Sequence, residues 1–175
     1  MLILTGAPGS GKTTTARLVA AKSKRAAHIE ADRFFGFIES GYIPPWEPDS
    51  HEQNTIVMRL VAQAAIGYAE AGYFTIVEGI VIPGWFFEPL RDSLRSAALP
   101  VACSILRPPL RVCLERATNR AAEGLNEPEV VERLWRAFAD LGPLERHVIA
   151  PDASADETAE EVFRRLNDGT LELRP

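Results

Sequence analysis

The chain has 175 residues and a formal net charge of −5 at pH 7, a size that suits one domain able to bury about 70% of its unfolded-chain surface in a single core. An acidic balance argues against a nucleic-acid surface, which carries a basic excess, and no uncharged stretch reaches transmembrane length. The first apolar run reads as a strand rather than a secretory leader, so a cytoplasmic location is expected, with neither nucleic acid nor membrane as partner.

Met1 to Ala21 reads MLILTGAPGSGKTTTARLVAA. Leu2, Ile3 and Leu4 form a short apolar run without charge, the pattern of a strand buried on both faces of a parallel sheet. Gly6 to Thr13, GAPGSGKT, fit the phosphate-binding pattern G-x-x-x-x-G-K-[ST], and Lys12 to Ala21 read as the helix that follows. Gly6, Gly9 and Gly11 permit dihedrals that turn successive N–H groups inward and leave no Cβ between backbone and phosphate oxygens. Those N–H groups form an anion site over Gly9, Ser10, Gly11, Lys12, Thr13 and Thr14, with the positive end of the helix dipole behind them. Lys12 brings a mobile positive charge to the β- and γ-phosphates, and the Thr13 hydroxyl is placed to coordinate Mg²⁺. The expected ligand is a nucleoside triphosphate.

Ala26 to Glu30 is a second strand, and ADRFFGFIES up to Gly41 reads as a helix stopped by that glycine. Pro44, Pro45 and Pro48 around Trp46 stiffen the loop that follows. Ser50 to Ala71 reads as a long helix with Ile56, Val57, Leu60, Val61, Ala64 and Tyr68 on one face, a Ser50-x-x-Gln53 capping box, and Gly72 past its end. Tyr73 to Val77 is the third strand, Phe86 to Ala97 a helix, and Val101 to Leu106 the fourth strand. Pro108 and Pro109 open a helix running toward Arg120. Asn126-x-x-Glu129 is expected to cap a helix ending near Leu141, His147 to Ala150 to form a fifth strand, and Ser154-x-x-Glu157 to cap the last helix. Cys103 and Cys113 lack CxxC spacing and read as buried thiols. His28, His51 and His147 lack metal-ligand spacing and read as structural. Alternating strands and helices without internal repeats give a parallel-sheet α/β protein with right-handed connections.

The chain resembles the P-loop small-molecule kinases. Gly6 to Thr13 match their phosphate loop, Asp32 matches the acidic residue that shikimate, gluconate and chloramphenicol kinases place after the second strand, and Arg116 with Arg120 resemble their lid arginines. The resemblance implies a P-loop NTPase fold, three layers α/β/α around a five-stranded parallel sheet in the order 2-3-1-4-5. It further implies one domain over residues 1–175, a short lid near 114–126, and transfer of the γ-phosphate of ATP with Mg²⁺. The chain departs from many relatives in carrying Glu78, where they have an aspartate.

Asp32 precedes a helix at the carboxyl end of a strand, so it reads as a helix cap, as a general base, or as both. Glu78, ahead of Gly79, is expected to touch Mg²⁺ through water or to bond substrate hydroxyls, with a solvated loop acid as the alternative. Arg116 and Arg120 share a helix face, one for the transferring phosphoryl and one for adenine, or else form a solvated basic face. Arg33, Trp46 and Trp85 join Asp32 and Glu78 as candidate acceptor contacts, the two tryptophans as pocket wall or as core.

The expected function is an ATP-dependent kinase acting on a hydroxyl of a small molecule such as a sugar, a nucleoside or an antibiotic-like compound, as a monomer or homodimer. Lys12, Asp32, Arg116 and Arg120 form the catalytic set. A nucleotide-dependent adaptor without catalysis is the competing class, and a kinase acting on nucleic-acid ends is a third. A GTPase is disfavoured because N-K-x-D for guanine is missing.

Overall fold

The computed structural model describes residues 1–119, 126–150 and 154–173. Five parallel strands, β1 (Leu2–Gly6), β2 (Ala26–Glu30), β3 (Phe74–Gly79), β4 (Ala102–Leu106) and β5 (Val148–Ile149), form one sheet in the order β2-β3-β1-β4-β5. That is the order the family resemblance implied. β1 lies at the centre of the sheet, as its uncharged apolar run leads one to expect, and Leu2, Ile3 and Leu4 are all completely buried. Burying each such side chain contributes about 1.5–3 kcal/mol relative to leaving it in water.

Successive residues of the strands feed two separate cores. Leu2, Leu4, Ile76 and Leu106 face α1 (Lys12–Ala21) and α7 (Ala155–Asn167), where they meet Ala16, Val19, Ala159 and Val162. Ile3, Val77, Cys103 and Ile105 face the other layer. That layer is built from α3 (His51–Glu70), α4 (Phe87–Arg95), α5 (Leu110–Thr118) and α6 (Pro128–Arg136). The parallel register pairs Glu30 with Glu78, Thr5 with Gly79 and Gly6 with Leu106, so these carboxyl ends lie level along one rim of the sheet. Among the described residues no helix is long and apolar enough to cross a membrane.

Several local expectations are corrected. The helix after β2, α2 (Asp32–Phe35), is a single turn. Beyond it the backbone bonds tighten to i→i+3, from Phe37 to Phe34 and from Ile38 to Phe35, and the chain leaves the helix at Gly36 rather than Gly41. Phe37 is left 75% exposed. The expected face of α3 holds in part: Val57 and Val61 are buried and Ala64 half-buried, but Ile56, Leu60 and Tyr68 are exposed, and Asn54, Met58, Ala62 and Ala65 complete the buried side. Ser50 forms no capping box, because its hydroxyl is drawn to the carbonyls of Pro45 and Glu47 and Gln53 is bonded to the backbone of Ile43. Pro128 takes the first position of α6, so Glu127 and not Asn126 stands at the cap. The Ser154–Glu157 capping box is formed as expected, and Gly72 closes α3 with a φ of 82°. Both cysteines are buried. One feature had no forecast: the chain beyond α7 returns to β4, where the Cys103 N–H donates to Leu171 and that of Leu173 to Val101, burying Leu171 completely.

Candidate active site

The phosphate loop joins β1 to α1 at the rim of the sheet. Gly9 and Gly11 have φ of 77° and 94°, the left-handed region that glycine enters without steric cost. At Gly9 the packing is equally demanding, since a Cβ there would lie 2.2 Å from the Cys113 carbonyl oxygen of α5. The loop is therefore pressed against α5 by backbone. α1 begins at Lys12 with Gly11 as its cap, which carries no side chain to satisfy its first N–H groups, so these are directed at an incoming anion. Lys12 Nζ donates to the carbonyls of Gly6 and Ala7 at 2.9 and 3.0 Å, which holds the ammonium over the loop. Ser10 Oγ is buried and has no hydrogen-bond partner among the described residues.

Next to the loop opens a cleft of about 510 Å³. Lys12, Thr13, Glu30, Asp32 and Glu78 line its polar end, and Phe35, Tyr42, Trp46, Met58, Trp85 and Phe86 line its apolar walls. Glu78 is 5% exposed. Its Oε1 accepts a hydrogen bond from the Thr13 hydroxyl at 3.2 Å, and its Oε2 lies 3.2 Å from His28 Nε2. Asp32 is the first residue of α2, with Ala31 at the cap. Its carboxylate is therefore not used as the helix cap. Asp32 is exposed by area but lines the cleft, so the water it meets is cleft water and protein crowds its remaining sides. Burial of that kind raises its pKa above the ordinary aspartate value; Lys12 pulls it back down, and Glu78 and Glu30 push it further up. Tyr42 lines the same cleft as Asp32, and its phenol pKa is raised by burial and by the charge of Asp32. Against Gly79, a Cβ would meet Ala31 at 3.0 Å and come within 3.8 Å of Asp32 Oδ1.

The donor set is uniform in kind. Thr13, Asp32 and Glu78 offer only hard oxygen atoms, which suit Mg²⁺ rather than a softer metal. Among the described residues no group of three or more His, Cys, Asp or Glu side chains could hold a metal by itself.

Residues 1–142 match the model of the AAA domain family. The chain belongs to this family. No curated protein is detectably similar in sequence. Among solved structures, this AAA domain is similar to a sugar kinase from Janibacter sp., at 24% identity over 95% of this chain and 93% of that one, with a TM-score of 0.68. A tunicamycin resistance protein from Deinococcus radiodurans superposes at 19% identity over 99% and 98% of the two chains, with a TM-score of 0.71. The APS kinase of Mycobacterium tuberculosis, solved with AMPPNP and APS, superposes at 20% identity over 95% and 96%, with a TM-score of 0.70. The resemblance to P-loop kinases is thereby borne out at the level of fold.

The remaining candidates of this AAA domain fall in three places. Trp46 and Trp85 reach the cleft, the second stacked on Phe86 with ring centroids 4.3 Å apart. Arg116 lies on the other side of the loop, where a Cβ on Gly11 would come 3.7 Å from its guanidinium. There, with Thr14, Asn119 and Thr158, it lines a second concavity of about 420 Å³. Arg33 does not line the cleft; it is 71% exposed and its Nε donates to Glu30 at 2.9 Å. Arg120 and residues 120–125 of the lid expected near 114–126 lie outside the described residues, while residues 114–118 belong to α5. Arg107, another strand-end arginine, is tied to both oxygens of Glu145 and to the Phe138 carbonyl. Among the residues that sequence reasoning did not single out for the site are His28, which touches Glu78 from behind the cleft, and Tyr42, which lines it. His28 carried no spacing signal, since its partner Glu78 is 50 residues away, and Tyr42 sat in a loop whose fold depends on α3.

Proposed function

We propose that the chain is an ATP-dependent phosphotransferase whose acceptor is the hydroxyl of a small molecule. The observation that carries the reading is the meeting of Lys12, Thr13, Glu78 and Asp32 at one end of a single ligand-sized cleft. In kinases of this general kind, a nucleoside triphosphate with Mg²⁺ supplies the phosphoryl group to be transferred. The loop N–H groups and Lys12 hold the phosphates, and Thr13 with Glu78 is placed for the metal. Asp32 orients the acceptor hydroxyl and takes its proton as the new ester bond forms. Arg116, beside Gly11, faces the nucleotide, and one domain carries both the nucleotide and the acceptor. Arg33 acts on the acceptor only through Glu30.

The walls point to an acceptor that is neutral or polar rather than strongly anionic. Among the described residues lining the cleft, Lys12 is the one cation, and three carboxylates face it. A phosphate or dicarboxylate acceptor needs cationic clamps. The similarity to solved kinases supports phosphoryl transfer to a small molecule and is silent on the charge of the acceptor. An adaptor has no need of a carboxylate placed beside the γ-phosphate position. Acceptor-coupled ADP release across sugars, nucleosides, antibiotics and anionic metabolites tests this. Stimulation by neutral alcohols supports it, and stimulation only by nucleoside monophosphates or multiply charged acids overturns the acceptor assignment.

A further inference from the structure

One histidine on the sheet, His28, is half-buried and another, His147 beside the sheet, is fully buried, and they differ in what they touch. His147 is completely buried and its Nδ1 lies 3.1 Å from the Cys103 carbonyl oxygen, a core histidine satisfied by backbone. His28 instead ends on a carboxylate of the cleft. It sits on β2 two residues before Glu30 and on the same face, and the register that pairs Glu30 with Glu78 lets its ring reach Glu78 along the strand. Its side chain is 13% exposed and that of Glu78 6%. Glu30 is engaged by Arg33 at 2.9 Å and Arg17 at 3.5 Å.

We propose that His28 is a positioning residue for the metal: it holds Glu78 against Thr13, and through Glu78 it fixes the direction in which the Thr13 hydroxyl presents its lone pairs. The geometry supplies the order of the bonds. An ionised carboxylate only accepts, so the Thr13 hydroxyl and His28 Nε2 are both donors to Glu78. A threonine hydroxyl whose proton is committed to Glu78 turns its lone pairs outward, which is the state in which it can bind a cation. Without His28 the Glu78 carboxylate has one anchor instead of two and can rotate away. Partners that orient a ligand in this manner typically change metal affinity 10- to 100-fold when removed.

The inference rests on the reading of the cleft as a Mg²⁺–nucleotide site. Its test is the binding of a fluorescent ATP analogue, titrated with Mg²⁺ and separately in EDTA, for wild type, His28→Leu and His28→Gln. The leucine cannot donate, whereas the glutamine amide donates at comparable reach. His28→Leu should raise the Mg²⁺ concentration for half-maximal binding about 10- to 100-fold and leave the affinity in EDTA unchanged, and His28→Gln should return it to within about threefold of wild type. A purely structural histidine would lower the melting temperature and shift both titrations together. An unchanged Mg²⁺ curve in His28→Leu, or a glutamine variant no better than leucine, overturns the inference. Should His28→Leu fail to fold, His28→Asn, whose shorter amide falls short of Glu78, takes its place with the same expected shift. Failure of wild type to bind nucleotide in either medium refutes the underlying site instead.

Discussion

The two ends of the cleft are built by different means. At the phosphate end, position is set by backbone: the loop is held between β1 and α5, and Gly9 approaches Cys113 so closely that no side chain fits. At the acceptor end, position is set by side chains on loops: Tyr42, Pro45 and Trp46 come from the segment after α2, and Ile80, Trp85 and Phe86 from the segment after β3. A backbone site is committed to one ligand group, because every peptide offers the same N–H. Walls made by loop side chains can be exchanged without disturbing the sheet, which is how one fold serves many acceptors.

The comparison is tested most severely at Asp32, where the two ends meet. Asp32→Asn keeps the size and loses the ability to take a proton, so single-turnover transfer should slow by about 10²- to 10⁴-fold, roughly 3–5 kcal/mol of transition-state stabilisation. Nucleotide affinity should barely move. Wild-type transfer rates in the variant would remove the base assignment. The raised pKa of Asp32 adds a signed expectation. A carboxyl whose folded pKa lies above its unfolded value contributes stability that is complete below the unfolded value and lost as pH rises through the folded one. The ionised residue thus weakens the fold at neutral pH. Ligand-free Asp32→Asn should melt higher than wild type at pH 7, and the difference should fade in acid below the ordinary aspartate value. The acid limb of wild-type kcat/KM should lie above that ordinary value as well.

The phosphate end should respond through stability rather than chemistry. Gly9→Ala places a methyl against the Cys113 carbonyl at a φ of 77°, a cost of about 2–5 kcal/mol in urea unfolding from overpacking and left-handed strain together. A loss below about 1 kcal/mol would show that the loop can yield, and the description of it as a rigid backbone cradle would fail. Next in size is Lys12→Ala. At ligand near 100 times Kd, Mg-ATP should stabilise wild type by about 2.7 kcal/mol. For a chain of this length that is a melting shift of roughly 5–11 °C. Most of this shift should disappear when the ammonium is removed, and an unchanged shift would unseat the loop as the phosphate site.

The same contrast explains what could be read ahead of the structure. The loop was legible because a short pattern encodes it, with glycines at Gly6, Gly9 and Gly11 and the functional residues Lys12 and Thr13 adjacent in sequence. The strand order followed from the family resemblance. The acceptor wall was legible only as a list of aromatics, since Trp46 and Trp85 are brought together by loops whose course depends on α3 and β3. The inner face of α3 is legible at Val57 and Val61 but not at its edge, because Ile56, Leu60 and Tyr68 continue an apolar stripe beside the buried one and hydrophobicity alone ranks Ile56 above the buried Asn54. Asn54 is inside because its amide donates to the Pro45 carbonyl and the Ser50 hydroxyl. That bond set exists only once the proline loop has folded back.

The smallest expected effect belongs to Arg33, and it sharpens the line between wall and surround. Arg33 stands beside Asp32 in sequence, yet its guanidinium turns to Glu30 on the outside of the cleft, with 71% of its side chain in water. An exposed pair of this kind contributes about 0–1 kcal/mol and is screened by salt. Arg33→Ala should therefore change the acceptor KM by less than about threefold and leave kcat within the same margin, a difference near 0.6 kcal/mol. The change should shrink further as ionic strength rises, because what remains is the altered field of Glu30 at the cleft rim. A loss of tenfold or more that persists in high salt would place the guanidinium on the acceptor itself. The cleft would then hold a second cation, and the preference for neutral acceptors would have to be given up with it.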